Sequence, residues 1–238
     1  MTEDRERPRI VGRRSLLAAG AGLVVGAGGT ELVNALSPSE TSITPHVASP
    51  GEELMTEHGV LKRVLLAYRA IHDRLVDGRA VPVGAVSDSA QLISDYIESF
   101  HEGLEEAYVF PRVTATQGAL VRTLLIQHDR GRHLTAAITT AASAGFATAA
   151  ARSALASDLD RFVRMYEPHE AWEDTVIYPA LRATTSQRTL DLLAERFAGL
   201  ENTQFGDNAL SQMLSRLAGI EDQLGIGDLA AFTPPATA

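Results

Sequence analysis

Two stretches of this chain carry the same phrase of metal-binding side chains. His101-Glu102-Gly103-Leu104-Glu105-Glu106-Ala107-Tyr108-Val109-Phe110-Pro111 is echoed by His169-Glu170-Ala171-Trp172-Glu173-Asp174-Thr175-Val176-Ile177-Tyr178-Pro179. Each reads His-Glu-x-x-Glu, a further acid, then an aliphatic residue, an aromatic ring and a proline. A His and a Glu four residues apart share one face of a helix, roughly 6 Å apart at the backbone. Two such pairs facing each other therefore offer two imidazoles and two carboxylates to one point. An ionised carboxylate rarely enters a core without a compensating cation. The chain has no cysteine, so a metal must be held by His, carboxylate, Tyr or water, and mixed imidazole and carboxylate ligation suits iron best. The competing reading is a His–Glu ion pair used twice, which has to satisfy four buried polar groups in one core layer without a metal.

The elements that must position these residues read as helices. No segment sustains period-two alternation, whereas apolar residues recur at steps of three and four. A first helix is predicted over 52–76, with Leu54, His58, Leu61, Leu65, Tyr68, His72 and Leu75 on one stripe and Asp77-Gly78 as its stop. A second starts at a Ser87 or Asp88 cap and ends at Phe110 before Pro111, with Ile93, Ile97, His101, Glu105 and Tyr108 inward. The third covers 118–142, placing Val121, Leu124, His128, Gly131, Thr135 and Ile138 inward. The fourth covers 148–182 and buries Leu155, Leu159, Phe162, Tyr166, His169, Glu173 and Val176, with Pro168 expected to kink it just before His169. One histidine thus falls on the buried stripe of each of four consecutive helices. Short connections favour antiparallel neighbours, so the expected fold is all-α: an up-down-up-down four-helix bundle. A further helical region over 186–224, broken near Phe205-Gly206 and free of His, is expected to pack outside it.

Other titratable residues sort by reach. His72 lies fourteen residues past His58, about 21 Å along a helix, and His46 sits in a Ser/Thr/Pro-rich tether. His133 points roughly 140° away from His128 and belongs to the surface. Asp174 and Glu102 stay open between touching a metal and supporting a ligand. Leu61, Ile97, Leu104, Leu124 and Trp172 could line an apolar pocket, and Tyr108 or Tyr166 could donate a hydrogen bond into it or simply pack.

The 238 residues and 45% hydrophobic content suffice for one domain with extensions. A formal net charge of −9 leaves no basic footprint for nucleic acid. Residues 1–35 read as an export leader: Arg13-Arg14 precede Ser15-Leu16-Leu17 and a modestly apolar run, and Val33-Asn34-Ala35 resembles a cleavage site. Paired arginines before a weakly hydrophobic segment resemble a signal read by the twin-arginine export machinery, which carries folded, cofactor-loaded proteins out of the cytoplasm. The leader is either removed near Leu36 or retained as an anchor. Residues 36–50 form a linker, 51–183 the bundle and 184–238 the C-terminal extension.

Four phrases together resemble a hemerythrin-like (HHE cation-binding) domain. They are Glu57-His58-Gly59-x-Leu61; His101-Glu102-x-x-Glu105-Glu106 with Phe110-Pro111; Gln127-His128-x-x-Gly131-Arg132; and Pro168-His169-Glu170-Ala171-x-Glu173-Asp174 with Tyr178-Pro179. The resemblance implies a four-helix bundle holding two non-haem iron ions. Carried over by position, His58, His101, Glu105, His128, His169 and Glu173 become the ligands, with Glu105 and Glu173 bridging. Oxygen-carrying members have a second His four residues after the third-helix ligand, where this chain has Arg132. The departure points away from reversible O₂ carriage and toward reactivity with peroxide, nitric oxide or O₂, or toward iron handling, outside the cytoplasm. An iron-sensing or metal-stabilised module without redox catalysis is the alternative.

Overall fold

The structure, a computed structural model, describes residues 48–236, and no strand occurs among them. The expected leader and most of the expected linker lie outside the described residues. Helix α1 (Pro50–Val76) opens on a capping box: the Ser49 hydroxyl accepts from the Glu52 amide while the Glu52 carboxylate accepts from the Ser49 amide at 2.7 Å. Pro50 fits the first turn, where its missing N–H costs nothing. After a short connection the chain runs as α2 (Val83–Leu92), a π-helical stretch π1 (Ile93–His101), the single turn α3 (Glu102–Leu104), a second π stretch π2 (Glu105–Val109), and α4 (Phe110–Ala144). Helix α4 contains one non-helical residue, Gln117 (φ −121°, ψ 21°), at which the chain reverses. Next come α5 (Ala149–Trp172), π3 (Glu173–Ile177), α6 (Tyr178–Thr184), α7 (Gln187–Phe205) and α8 (Ala209–Leu224).

The second helix differs from its prediction. It starts at Val83 instead of a Ser87 or Asp88 cap, and Pro111 does not stop it. Proline lacks an amide proton and crowds the carbonyl four residues earlier. Here a π turn directly precedes it, and the widened i→i+5 turn accommodates that conflict. Pro179 follows π3 in the same way. The extra residue in each π turn also moves the buried register by one. Val109 and Phe110 are buried where Tyr108 was expected, and Ile177 and Tyr178 where Val176 was expected.

Side-chain contacts define the packing. Helix α5 runs antiparallel to α1, because His58 meets Asp174, Lys62 meets Glu170 and Arg69 meets Glu167. Across Gln117 the two arms are also antiparallel, with Glu106 on His128 and Glu102 on Arg132. His101 meets Glu57, and His128 meets His169, so each neighbouring pair of arms is in contact at one level. The apolar stripes form a continuous core, in which Leu54, Tyr68, Ile71, Ile93, Ile97, Leu124, Leu159 and Phe162 are essentially inaccessible. Gly131 is required by this packing: a Cβ there would lie 1.9 Å from the Tyr166 hydroxyl. Helices α7 and α8, parted at Gly206 as expected from Phe205-Gly206, pack outside against α1 and α2. The bidentate Arg63–Glu221 pair and a bond from Arg74 to the Leu224 carbonyl fasten α8.

Candidate metal centre

His58, His101, Glu105, His128, His169 and Glu173 all converge on the middle of this helical bundle, each at 3% exposure or less. They form two overlapping donor groups. His58, His101, Glu105 and Glu173 make one, and Glu105, His128, His169 and Glu173 make the other. The two glutamates belong to both.

The imidazoles are oriented, not merely buried. His58 Nδ1 lies 2.7 Å from Asp174, His101 Nδ1 2.8 Å from Glu57, His128 Nδ1 3.0 Å from Glu106, and His169 Nδ1 2.9 Å from the Gln127 side-chain oxygen. Carboxylate and amide oxygens only accept here, so each Nδ1 carries the proton and each Nε2 turns inward. His58 and His101 then face each other Nε2 to Nε2 at 3.0 Å, and His128 and His169 do so at 3.2 Å. Two pairs of basic nitrogens this close repel unless a proton or cation lies between them. Glu173 has both oxygens buried and outside hydrogen-bonding geometry, although His169 Nε2 is 3.1 Å and His58 Nε2 3.4 Å away; Glu105 Oε2 is in the same position. Converging lone pairs on four nitrogens, with carboxylate oxygens lacking good hydrogen bonds between them, fit a metal site, while the His–Glu pairs also stand at ion-pair distance.

The titration pattern of the metal-free cluster agrees. Burial opposes charge on His58, but the adjoining Asp174 and Glu173 carboxylates prevail and raise its pKa to about 9. Burial and the neighbouring positive His58 hold His101 well below its usual value. Burial and the Glu173 charge push Glu105 well above the carboxylate range. Burial also opposes charge on Glu173, yet His169 and His58 outweigh it and hold that carboxyl below its ordinary value. Any proton held on the inward faces of these groups would have to leave when a metal binds.

A ring of charge surrounds the donors. Arg132 grips Glu102 at 2.8 Å and Glu106 at 2.6 Å, and Tyr166 donates to the other Glu102 oxygen at 2.7 Å. Burial lifts the Glu102 pKa to about 8, whereas the His128 hydrogen bond together with Arg132 lowers that of Glu106 to about 2. Asp174 braces His58. Glu102, with Glu106 and the outward Nδ1 of His128, forms a separate group outside both shared clusters. His133 is on the surface, bonded to the Asp129 carbonyl. Leu61, Ile97, Leu104 and Leu124 are buried. Trp172 is 54% exposed and lines no inner pocket, and the Tyr108 hydroxyl meets Arg196 on the outside.

Sequence reasoning missed the bracing role of Glu57 and Gln127. Each adjoins a histidine on its own helix but holds the histidine of the next one. It also missed Tyr178, whose hydroxyl donates to Glu105 at 2.8 Å and lies 3.3 Å from His58 Nε2. The repeated aromatic-Pro ending was the only signal for it.

Residues 49–157 match the family described as the hemerythrin HHE cation-binding domain. An uncharacterized protein of Mycobacterium tuberculosis is 40% identical over 240 residues, covering 95% of this chain and 92% of its own length. An uncharacterized protein of Mycobacterium bovis is similar to the same extent. No solved structure matches the chain. The matched segment ends before His169 and Glu173, which the geometry nevertheless places among the other four residues.

Proposed function

The chain belongs to one family with these mycobacterial proteins and carries the hemerythrin HHE cation-binding domain, and from that premise we propose that it is a non-haem di-iron protein that binds or reacts with O₂, peroxide or nitric oxide in the cell envelope. The supporting observation is the set of four inward Nε2 atoms around two shared carboxylates, three of whose four oxygens lack a hydrogen-bond partner. His58 and His101 would hold one ion and His128 and His169 the other, with Glu105 and Glu173 available to both. Iron supplies one-electron redox chemistry and affinity for small oxidants.

The chain's own residues do the rest. Asp174, Glu57, Glu106 and Gln127 fix the imidazole tautomers, so the donors need no rearrangement to bind. Arg132 balances Glu102 and Glu106 and keeps both turned away from the shared carboxylates. Ile97, Leu104, Phe110 and Leu124 keep bulk water from the centre. An up-down-up-down four-helix bundle is the arrangement we infer, supported by the antiparallel contacts of its arms. The Arg13-Arg14 leader supports delivery by the twin-arginine machinery after the metal is loaded.

Metal content and a visible spectrum of the full-length purified protein test the reading. About two irons per chain are expected, by the count of donor groups. A stably folded chain that takes up no iron would overturn it. Stopped-flow mixing of the reduced protein with peroxide, nitric oxide and O₂ then separates turnover from simple binding.

A further inference from the structure

The repeated phrase folds into two halves that correspond residue for residue. His58 answers to His128, Glu57 to Gln127, His101 to His169, Glu105 to Glu173, and Glu106 to Asp174, whose carboxylates each brace the first histidine of one half. The correspondence extends to the ring before each proline. Phe110 stacks on His128 with centroids 5.5 Å apart at 25°, and Tyr178 stacks on His58 at 5.6 Å and 27°. Only one of these rings carries a hydroxyl, and that hydroxyl points into the donor group.

Donors to one ion at about 2.1 Å and right angles to each other lie about 3 Å apart. The Tyr178 oxygen sits 2.8 Å from Glu105 Oε1 and 3.3 Å from His58 Nε2, while His58 and His101 stand 3.0 Å apart. These are the separations of neighbouring donors on one cation. Phe110 offers nothing at the matching place beside His128.

We propose that Tyr178 is a fifth protein ligand of the ion held by His58 and His101, so that the two ions are inequivalent and small molecules bind at the His128–His169 half. The inference rests on the two-ion reading above. Phenolate is a hard oxygen donor suited to ferric iron. On ligation the O–H bond is given up, its electron pair goes to the iron and the proton leaves to water, with no change in oxidation state. The half with four protein donors keeps the freer coordination positions, walled by the apolar ring of Phe110.

Resonance Raman and visible spectra of the ferric full-length protein, with iron counted on the same sample, decide the matter. Phenolate-to-iron charge transfer with phenolate ring modes is expected, absent in Tyr178→Phe at an unchanged two irons per chain and retained in Tyr108→Phe. Two bound irons without phenolate modes, or modes that survive Tyr178→Phe, would overturn the inference and leave the di-iron reading standing. A protein that binds no iron overturns both. If Tyr178→Phe does not fold, the wild-type spectrum still decides, because of the five tyrosines in the chain only Tyr178 places its hydroxyl within 3.3 Å of a proposed ligand.

Discussion

Replacing Glu105 with Gln separates what this residue does without metal from what it does with it. In the metal-free protein burial and the adjacent Glu173 charge push the Glu105 carboxyl well above the ordinary carboxylate range and so favour its uncharged form. Glutamine has the same shape and no charge, and its amide oxygen can still accept from Tyr178, 2.8 Å away. The metal-free variant should therefore melt within about 2–4 °C of wild type, equivalent to about 1 kcal/mol for a domain of this size. With iron the outcome reverses. Free metal at a thousandfold its dissociation constant stabilises by about 4 kcal/mol, or roughly 8–16 °C. Glu105 belongs to both donor groups, so Glu105→Gln should forfeit more than half of that gain and bind fewer than two irons. Because a metal ion and a proton compete for Glu105, whose carboxyl burial pushes upward, wild-type affinity should also climb with pH. The assay is thermal unfolding by circular dichroism, anaerobically, with and without ferrous iron, alongside elemental analysis. A metal-free variant that loses more than about 10 °C, or a loaded one that keeps both irons, would refute the argument.

Four further outcomes follow from contacts around the centre. Asp174→Ala removes the 2.7 Å brace on His58, and Gln127→Ala the 2.9 Å brace on His169; each should weaken iron binding about 10–100-fold in a chelator competition, without abolishing it. His133→Ala should leave iron content unchanged, because that ring is exposed and bonds only to Asp129. Gly131→Ala drives a methyl onto the Tyr166 hydroxyl and should cost about 1–3 kcal/mol in urea unfolding. Adding Tyr166→Phe should recover part of that loss, since the oxygen is the nearest atom in the collision and two ring carbons remain close.

Much of this centre was legible in the residue pattern, because a period of 3.6 is a strong constraint over long helices. It placed His58, His128 and His169 on buried stripes, and Val121 through Ile138 are buried at every position expected. The pattern failed where the backbone leaves that period. The π turns at Glu105–Val109 and Glu173–Ile177 each hold one residue more than an α turn, so Tyr108 and Val176 were read as inward in place of Phe110 and Tyr178. Nothing in the local composition announces a π turn except the proline that follows it. Trp172 was misplaced for a different reason: it adjoins Glu173, but its own direction is outward and no neighbouring helix covers it. The bracing pairs were beyond reach because each links different helices, and the order of residues along one strand of sequence does not state which helices touch.

The single-residue turn at Gln117 has a consequence for how this protein can change. Glu105 and His128 lie nearly equidistant from it in sequence, as do Glu102 and Arg132, so it fixes which residues oppose each other across the two arms. An added or deleted residue there would slide one arm against the other and swing His128 by roughly 100° about its helix axis. The connections between Val76 and Val83 and between Ala144 and Ala149 carry no such burden, because they lie at the far end from the donors. Tags, insertions and new loops should be accommodated at those two places, while at Gln117 the length of the chain is as constrained as the identity of any ligand.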